Sequence, residues 1–301
     1  MKKDFEIQLN SIIKKGSVLF DEPMKNHTTF RIGGPADCFV EPAMEEVEPL
    51  ISCLKKQEIP YTLIGNGSNL LVSDSGIEGV TVSFGKAMSE VSSEGNVLKA
   101  QAGILLSRLA SFAATHSLGG LEFASGIPGT LGGAITMNAG AYGGEMKDVV
   151  TSVKVLHQGQ IKEFSGEEMN FSYRHSRVLE EDMIVLEVTF NLCPGNEEEI
   201  LSKMKELNSR RVEKQPLNFP SAGSTFKRPE GYFAGKLIED AGLKGYTVGG
   251  AQVSEKHSGF VVNTGNATAK DVKQLICDVQ KIVKEKFGVS LEPEVRIIGR
   301  S

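Results

Sequence analysis

The apolar positions of the first two hundred residues change period several times. Leu9, Ile12 and Ile13 mark one face of a short N-terminal helix. Val47, Leu50, Ile51 and Leu54 recur at helical spacing, and Pro49 is compatible with that helix only in its first turn. Strand-like runs follow at 61–64, 70–72, 80–83 and 97–102. Leu105, Leu106, Leu109, Ala110 and Ala113 then repeat as a second amphipathic helix. Residues 119–145 follow neither period, and strands return at 153–156 and 184–190. Pro194-Gly195-Asn196 reads as a linker, and Glu197-Glu198-Glu199 suits the first turn of a helix behind it.

In the last third the spacing predicts a helix to about Ser209, running into Arg210-Arg211 and then a loop containing Pro216, Pro220 and Ser221-Ala222-Gly223-Ser224. A helix around 234–241 precedes a strand at 259–262. Thr268 with Asp271 three residues on forms a capping box. Val272, Leu275, Ile276, Val279, Ile282 and Val283 make the clearest helical stripe, which Gly288 ends. Residues 289–298 close the chain as a strand interrupted at Glu292-Pro293-Glu294. Short strands and separate helices without strict alternation give an α+β class, divided at the linker into domains 1–195 and 196–301.

With 40% hydrophobic and 24% charged residues the chain has ample material for a core. A net charge of -5 argues against a nucleic-acid or anionic-membrane binder. Cys38, Cys53, Cys193 and Cys277 show no metal or redox spacing and read as reduced thiols. The five histidines show no metal spacing either, so no metal is expected. No signal peptide, membrane span or obligatory protein partner is evident, which makes cytoplasmic the expected location.

Glycine changes the picture. The chain has 33, and nine of them fall within residues 119–145. One loop is Gly65-Asn66-Gly67-Ser68-Asn69, directly after a strand. Its backbone can approach a ligand closely and offer successive N–H groups to an anion; alone it would equally suit a plain β-turn. The second runs Ser125-Gly126-Ile127-Pro128-Gly129-Thr130-Leu131-Gly132-Gly133-Ala134 and on to Asn138, Gly140 and Tyr142. Pro128 suits the first position of a helix whose N-terminus would face a phosphate. The two loops together point to a nucleotide or dinucleotide. Neither is a Rossmann fingerprint or a P-loop. Between Lys203 and Arg228 lie seven basic residues against two acidic ones. Arg210, Lys214, Lys227 and Arg228 bracket the Pro/Gly loop, as a grip on a phosphorylated ligand or as ordinary surface charge.

In this order the segments resemble the UDP-N-acetylenolpyruvoylglucosamine reductases. The matching strings are Gly65-Asn66-Gly67-Ser68-Asn69-Leu70, residues 126–134 with the tail 138–143, and Ser172-Tyr173-Arg174. Ser221-Ala222-Gly223-Ser224-Thr225-Phe226-Lys227 and Leu291-Glu292-Pro293-Glu294-Val295-Arg296 complete them; these last two are the specific ones. The resemblance implies a two-part FAD-binding domain of the vanillyl-alcohol-oxidase-like (PCMH-type) fold and a smaller C-terminal α+β substrate domain. It implies non-covalent FAD, NADPH as hydride donor, and hydride delivery to the terminal enol carbon of UDP-N-acetylglucosamine enolpyruvate. Protonation of the carbon bearing the carboxylate then gives UDP-N-acetylmuramate.

Carried over to matching positions, the resemblance makes Ser224 the proton donor; a serine is a poor acid unless its alkoxide is stabilised, and Lys227 or Lys214 nearby are the candidates for that. Arg174 is the residue facing the substrate carboxylate, and Glu294 a neutral donor to the enediolate-like intermediate. Arg210 and Lys214 correspond to the diphosphate grip, and Tyr173 and Lys227 lie beside the substrate. Gly65, Asn66, Gly67, Ser68, Asn69, Ser125, Gly126, Ile127, Pro128, Gly129, Thr130, Gly133, Ala134, Asn138 and Gly140 are the cofactor residues. Longer members carry a tyrosine-bearing insertion that closes over the substrate. No tyrosine occurs here between Tyr173 and Tyr232, so the chain matches the shorter branch. Two alternatives remain. One is an FAD-dependent oxidase or dehydrogenase of the same flavin fold, although Arg31-Ile32-Gly33-Gly34-Pro35 offers no histidine for covalent flavin. The other is a non-catalytic flavin-binding module, which would be expected to have lost polar residues such as Arg174, Ser224 and Glu294.

Overall fold

The computed structural model describes residues 3–300, with side chains from Phe5; the basic tip Met1-Lys2 and Ser301 lie outside the described residues. The chain divides into two compact units, each assembled from three stretches: 1–19, 38–66 and 80–211 in the first, 20–37, 67–79 and 212–301 in the second.

The core of the first unit gathers Leu9, Leu50, Leu54, Leu98, Leu109, Val153, Val188 and Phe190, all buried. Its main sheet has five strands, in the order Gln160–Ser165, Val150–His157, Met183–Asn191, Val97–Gln101, Val91–Glu94. Every neighbouring pair in it is antiparallel. Alternation along Met183–Asn191 is incomplete because Met183 to Leu186 are buried in succession, as expected for a strand covered on both faces. Tyr61–Ile64 pairs in parallel with residues 80–83. The helix Met44–Lys56 starts earlier than the apolar spacing indicates, so Pro49 lies in its interior and not in its first turn. There the ring removes one backbone donor toward Glu45.

The helix Glu197–Lys214 runs five residues past the predicted end. Ile200 and Met204 pack into the first core, and the first unit therefore continues to Arg211 where the linker reading cut the chain at 195. Arg210 and Arg211 are thus on the helix, and Lys214 is its last residue before the loop 215–220.

The second unit centres on the helix Ala269–Phe287, whose Val272, Leu275, Ile276, Val279 and Val283 are buried beside Leu237, Ile238, Val253 and Val261. The capping box forms: Thr268 Oγ1 accepts from the Asp271 N–H (3.1 Å) and Asp271 Oδ2 from the Thr268 N–H (3.0 Å). Gly288 ends the helix at φ 71°. A four-stranded antiparallel sheet runs Ser221–Ser224, Phe260–Asn263, Ala251–Val253, Thr247–Val248. Residues 221–224 are therefore a strand, not the predicted loop. Of 289–298 only Arg296–Ile298 is strand, paired in parallel with Leu70–Val72.

Candidate functional site

Within the first unit the two glycine loops meet. Asn66 Nδ2 donates to the Pro128 carbonyl at 2.7 Å. A Cβ on Gly65 would lie 2.1 Å from Thr130 Oγ1, so only glycine leaves that hydroxyl its place. Thr130 is buried, and its hydroxyl has no hydrogen-bond partner in the protein. A buried hydroxyl left unpaired costs about 1–3 kcal/mol, which a ligand acceptor or donor would recover. Gly133 is exposed and a Cβ there would meet only Thr130 Oγ1, at 3.8 Å. Gly65, Asn66, Thr130 and Gly133 thus line a backbone-walled cradle with one orphaned hydroxyl, and these residues fit a dinucleotide.

The other residues of the predicted cofactor set have these surroundings within the protein. Pro128 lies two residues before the cap: Thr130 is the cap and Leu131–Thr136 the helix. The N–H groups of Leu131 and Gly132 donate to Ile104 (2.9 Å) and Ala102 (2.8 Å), which leaves the exposed Gly133 as the first-turn residue open to a ligand. Ser125 spends its hydroxyl on the Glu122 carbonyl (2.8 Å), Gly129 accepts from Leu106 (3.0 Å), and Ala134 is buried. Ile127 packs against the core. Gly140 pairs with Glu145 in a hairpin whose tip, Tyr142 and Gly143, has positive φ at both residues, as a two-residue hairpin turn requires. The side chain of Asn138 is enclosed by protein groups.

Gly126 reveals a residue that sequence spacing passed over. A Cβ there would fall 2.5 Å from Asn208 Oδ1 and 3.2 Å from Arg211 Cδ. Arg211 is half-buried, and among the described residues no acidic side chain pairs with it. Burial lowers its guanidinium from the ordinary range, with the Tyr142 hydroxyl acting weakly against that. Its neighbour Arg210, which spacing did single out, is exposed and paired with Glu206 one turn away.

Also in this unit, Tyr173 and Arg174 form the tip of a two-residue loop. Ser172 and His175 pair around it, Arg174 takes φ 56°, and its guanidinium lies 5.1 Å from the Tyr173 ring centroid.

In the second unit, Gly67 packs on the turn at His27 and Thr28, and Ser68 is half-buried. Asn69 gives its side-chain N–H to the Glu294 carbonyl (3.1 Å) and its own carbonyl to the Arg296 N–H (2.9 Å). Asn69 therefore anchors the Glu294 segment, a role the motif alone did not suggest. That segment runs against the Ser224 strand: Lys227 N–H donates to Glu292 O (2.8 Å), Phe226 bridges Pro293, and Glu294 N–H donates to Thr225 O (2.8 Å). The two specific motifs thus come together as one backbone ladder.

Ser224 is exposed at the end of its strand, where the pairing with Phe260–Asn263 slips between Ser221 and Ser224. Gly223 takes φ 77° in this bulge, which re-aims the following side chain. Thr29 Oγ1 holds the start of the strand through the Ser221 carbonyl (2.7 Å). Lys227 Nζ is paired with the exposed Glu292 carboxylate at 2.5 Å. Lys214 is exposed on the last turn of its helix.

Among the described residues there is no cluster of metal-ligating side chains, and no helix is long and apolar enough to cross a membrane. A family model described as FAD binding domain matches residues 36–165, and one described as UDP-N-acetylenolpyruvoylglucosamine reductase, C-terminal domain, matches residues 215–298. The chain is 58% identical to the UDP-N-acetylenolpyruvoylglucosamine reductase of Caldanaerobacter subterraneus, covering 97% of each. It is 54% identical to that of Agathobacter rectalis, covering 99% of each. The crystal structure of the Thermus caldophilus reductase superposes with a TM-score of 0.79 at 36% identity, over 94% of this chain and 98% of that one. An alkyldihydroxyacetonephosphate synthase shares the fold at a TM-score of 0.50 and 15% identity, over 64% of this chain and 41% of that one. The fold is the expected PCMH-like flavin fold with an added C-terminal domain. The chain belongs to the UDP-N-acetylenolpyruvoylglucosamine reductase family.

Proposed function

We propose that this chain reduces UDP-N-acetylglucosamine enolpyruvate to UDP-N-acetylmuramate, with non-covalent FAD and with NADPH as hydride donor, in peptidoglycan precursor synthesis. The observation that supports the reading at residue level is the main-chain bond from Glu294 N–H to Thr225 O (2.8 Å), which brings the backbones of the Glu294 and Ser224 segments together.

When bound, FAD supplies hydride storage between the two substrates. Gly65, Asn66, Thr130 and Gly133 hold it by close backbone approach and one hydroxyl, and Arg211 offers a desolvated cation to its anionic part. Hydride arriving at the terminal enol carbon drives charge toward the substrate carboxylate. Arg174 binds that carboxylate, and Glu294 donates a hydrogen bond to the charge as it grows; one such donor is typically worth about 2.7–4 kcal/mol of barrier. Ser224 Oγ then gives its proton to the carbon bearing the carboxylate. Lys214 and Lys227 are the candidates to stabilise the alkoxide, Lys227 with Glu292 as a competing partner. Cys53, Cys193 and Cys277 are free thiols, which supports a cytoplasmic location.

The test is NADPH consumption with and without the enolpyruvyl UDP-sugar, wild type against Ser224→Ala. Flavin reduction by NADPH is expected to survive in the variant, while reduction of the enolpyruvyl sugar falls by about 10²–10⁴-fold, the usual contribution of a positioned acid. Equal impairment of both half-reactions would remove Ser224 from the chemistry. Flavin that stays attached after denaturation would favour an oxidase of the same fold.

A further inference from the structure

The helix Leu131–Thr136 ends on a left-handed residue that is not glycine. Asn138 takes φ 42°; its N–H donates to Ile135 O (3.2 Å) and the Ala139 N–H donates to Ala134 O (2.8 Å). This pair of bonds is the Schellman ending, at which glycine is the residue of lowest steric cost. Asparagine there is explained by its side chain. One Nδ2 hydrogen goes to the Ser172 carbonyl (3.1 Å), the other to Glu145 Oε2 (2.8 Å), and Oδ1 accepts from the Lys147 N–H (3.0 Å). Asn138 is 1% exposed, and with both amide hydrogens used its side chain has no donor left for a flavin.

The Ser172 carbonyl is the base of the Tyr173–Arg174 loop. It also accepts from the His175 N–H (3.2 Å), while the Ser172 N–H donates to His175 O (3.1 Å). Buried Ser176 makes a second tie to the same helix end, its hydroxyl donating to Thr136 O (2.9 Å). A left-handed arginine persists only where its surroundings over-determine it, and these bonds do so. Glu145 belongs to the same assembly. The Lys147 ammonium (3.0 Å) holds its carboxyl below the usual range against the opposing effect of burial, with further help from Asn138 and the charge of Arg174.

We propose that Asn138 is a positioning residue for Arg174: its amide ties the Ser172 carbonyl to the Glu145 carboxylate and fixes where the two-residue loop presents the guanidinium. The inference rests on reading Arg174 as the substrate-carboxylate residue, and it moves Asn138 out of the predicted cofactor set.

Asn138→Gly tests it, because glycine keeps the left-handed ending and deletes only the amide. Asn138→Asp is the harsher variant, since it sets a carboxylate against Glu145 and the Ser172 carbonyl. Expected for Asn138→Gly are wild-type flavin content and a modestly lowered unfolding temperature, since relief of the left-handed strain offsets only part of the three lost hydrogen bonds. KM for the enolpyruvyl UDP-sugar should rise about tenfold and kcat/KM fall about 10–100-fold, the scale of a small misplacement of a binding group. The dissociation constant read from perturbation of the oxidised-flavin spectrum should rise in step with KM. Loss of flavin from Asn138→Gly would return the residue to the cofactor site and overturn the proposal. Wild-type kinetics in Asn138→Gly, with Arg174→Ala impaired, would overturn it while leaving the role of Arg174 intact. Wild-type kinetics in Arg174→Ala would instead sink the reading on which the proposal rests.

Discussion

Glu294 is tied to Thr225, the residue directly after Ser224, by a main-chain hydrogen bond of 2.8 Å. Pro293 fixes φ before it and Asn69 holds its carbonyl (3.1 Å), so the Glu294 side chain starts from a backbone held on both sides. If its work is to donate a hydrogen bond, Glu294→Gln keeps a donor of the same length and Glu294→Ala keeps none. The turnover number is expected to fall about tenfold in the first and about 10²–10³-fold in the second. An equal or larger loss in Glu294→Gln would rule out the neutral-donor role. Flavin content, measured in parallel, should be unchanged in both.

Thr130 carries an unpaired buried hydroxyl in the space that a Cβ on Gly65 would fill. Thr130→Val replaces that hydroxyl by a methyl group of nearly the same shape. The apoprotein should be as stable as wild type or more so by about 1 kcal/mol, because a desolvated polar atom is removed. Flavin affinity should fall about tenfold. Titrating apoprotein with FAD and following fluorescence quenching measures the second effect, and thermal unfolding of the apoprotein the first. Wild-type affinity in the variant would show that the hydroxyl does not serve the ligand.

Arg211 places a half-buried cation against Gly126 with no acidic side chain to pair it among the described residues. Such a charge weakens the apoprotein and is repaid only by an anion. Arg211→Met, similar in length and uncharged, should raise the unfolding temperature of the apoprotein and weaken FAD binding about 10–100-fold, the scale of a charge-assisted hydrogen bond. The salt dependence of FAD binding should diminish with it. A variant that is less stable as apoprotein and binds FAD normally would make Arg211 a packing residue.

What the sequence made legible follows from where the signal lies. The helix Ala269–Phe287 was readable end to end because its stripe, its Thr268–Asp271 cap and its Gly288 stop agree. The glycine-rich stretch 119–145 was legible as a break in both periods, since composition alone sets it apart. The strands Ser17–Pro23 and Pro35–Glu41 were not, because prolines at their ends and acidic residues within them suppress strand propensity. Arg210 drew attention by spacing, whereas Arg211 is the arginine that turns inward, and helix phase is set by packing of Ile200, Met204 and Leu207. The available clue was that same apolar phase, extended past Ser209. Asn69 and Asn138 show what a motif leaves out: each amide also holds the chain segment bearing a proposed catalytic residue. A motif records which residue types recur together, and hydrogen-bond geometry decides which of them touch ligand.

Glu46 supplies a stability prediction independent of the site. Its carboxylate is nearly buried and accepts from four main-chain N–H groups: Lys14 (2.5 Å), Lys15 (2.6 Å), Gly16 (3.1 Å) and Ala43 (2.9 Å). It thereby joins the end of the N-terminal helix to the start of Met44–Lys56, where Ala43 offers no side-chain cap. Burial by itself would raise its pKa, but the four donors outweigh that and hold the carboxyl below the usual range. A depressed carboxyl contributes stability that is fully present above its unfolded pKa, about 4.3, and is lost as pH falls through the folded value. Glu46→Gln keeps the shape and loses the charge, leaving three or four weaker or unmade bonds, at an expected cost of about 2 kcal/mol at pH 7. The gap in unfolding free energy between wild type and Glu46→Gln should close as the pH is lowered from 7 through 4, since the wild-type carboxyl then becomes neutral as well. Urea unfolding of both proteins across that range measures it. A gap that stays constant with pH would mean that charge on Glu46 contributes nothing to holding the N-terminal helix in place.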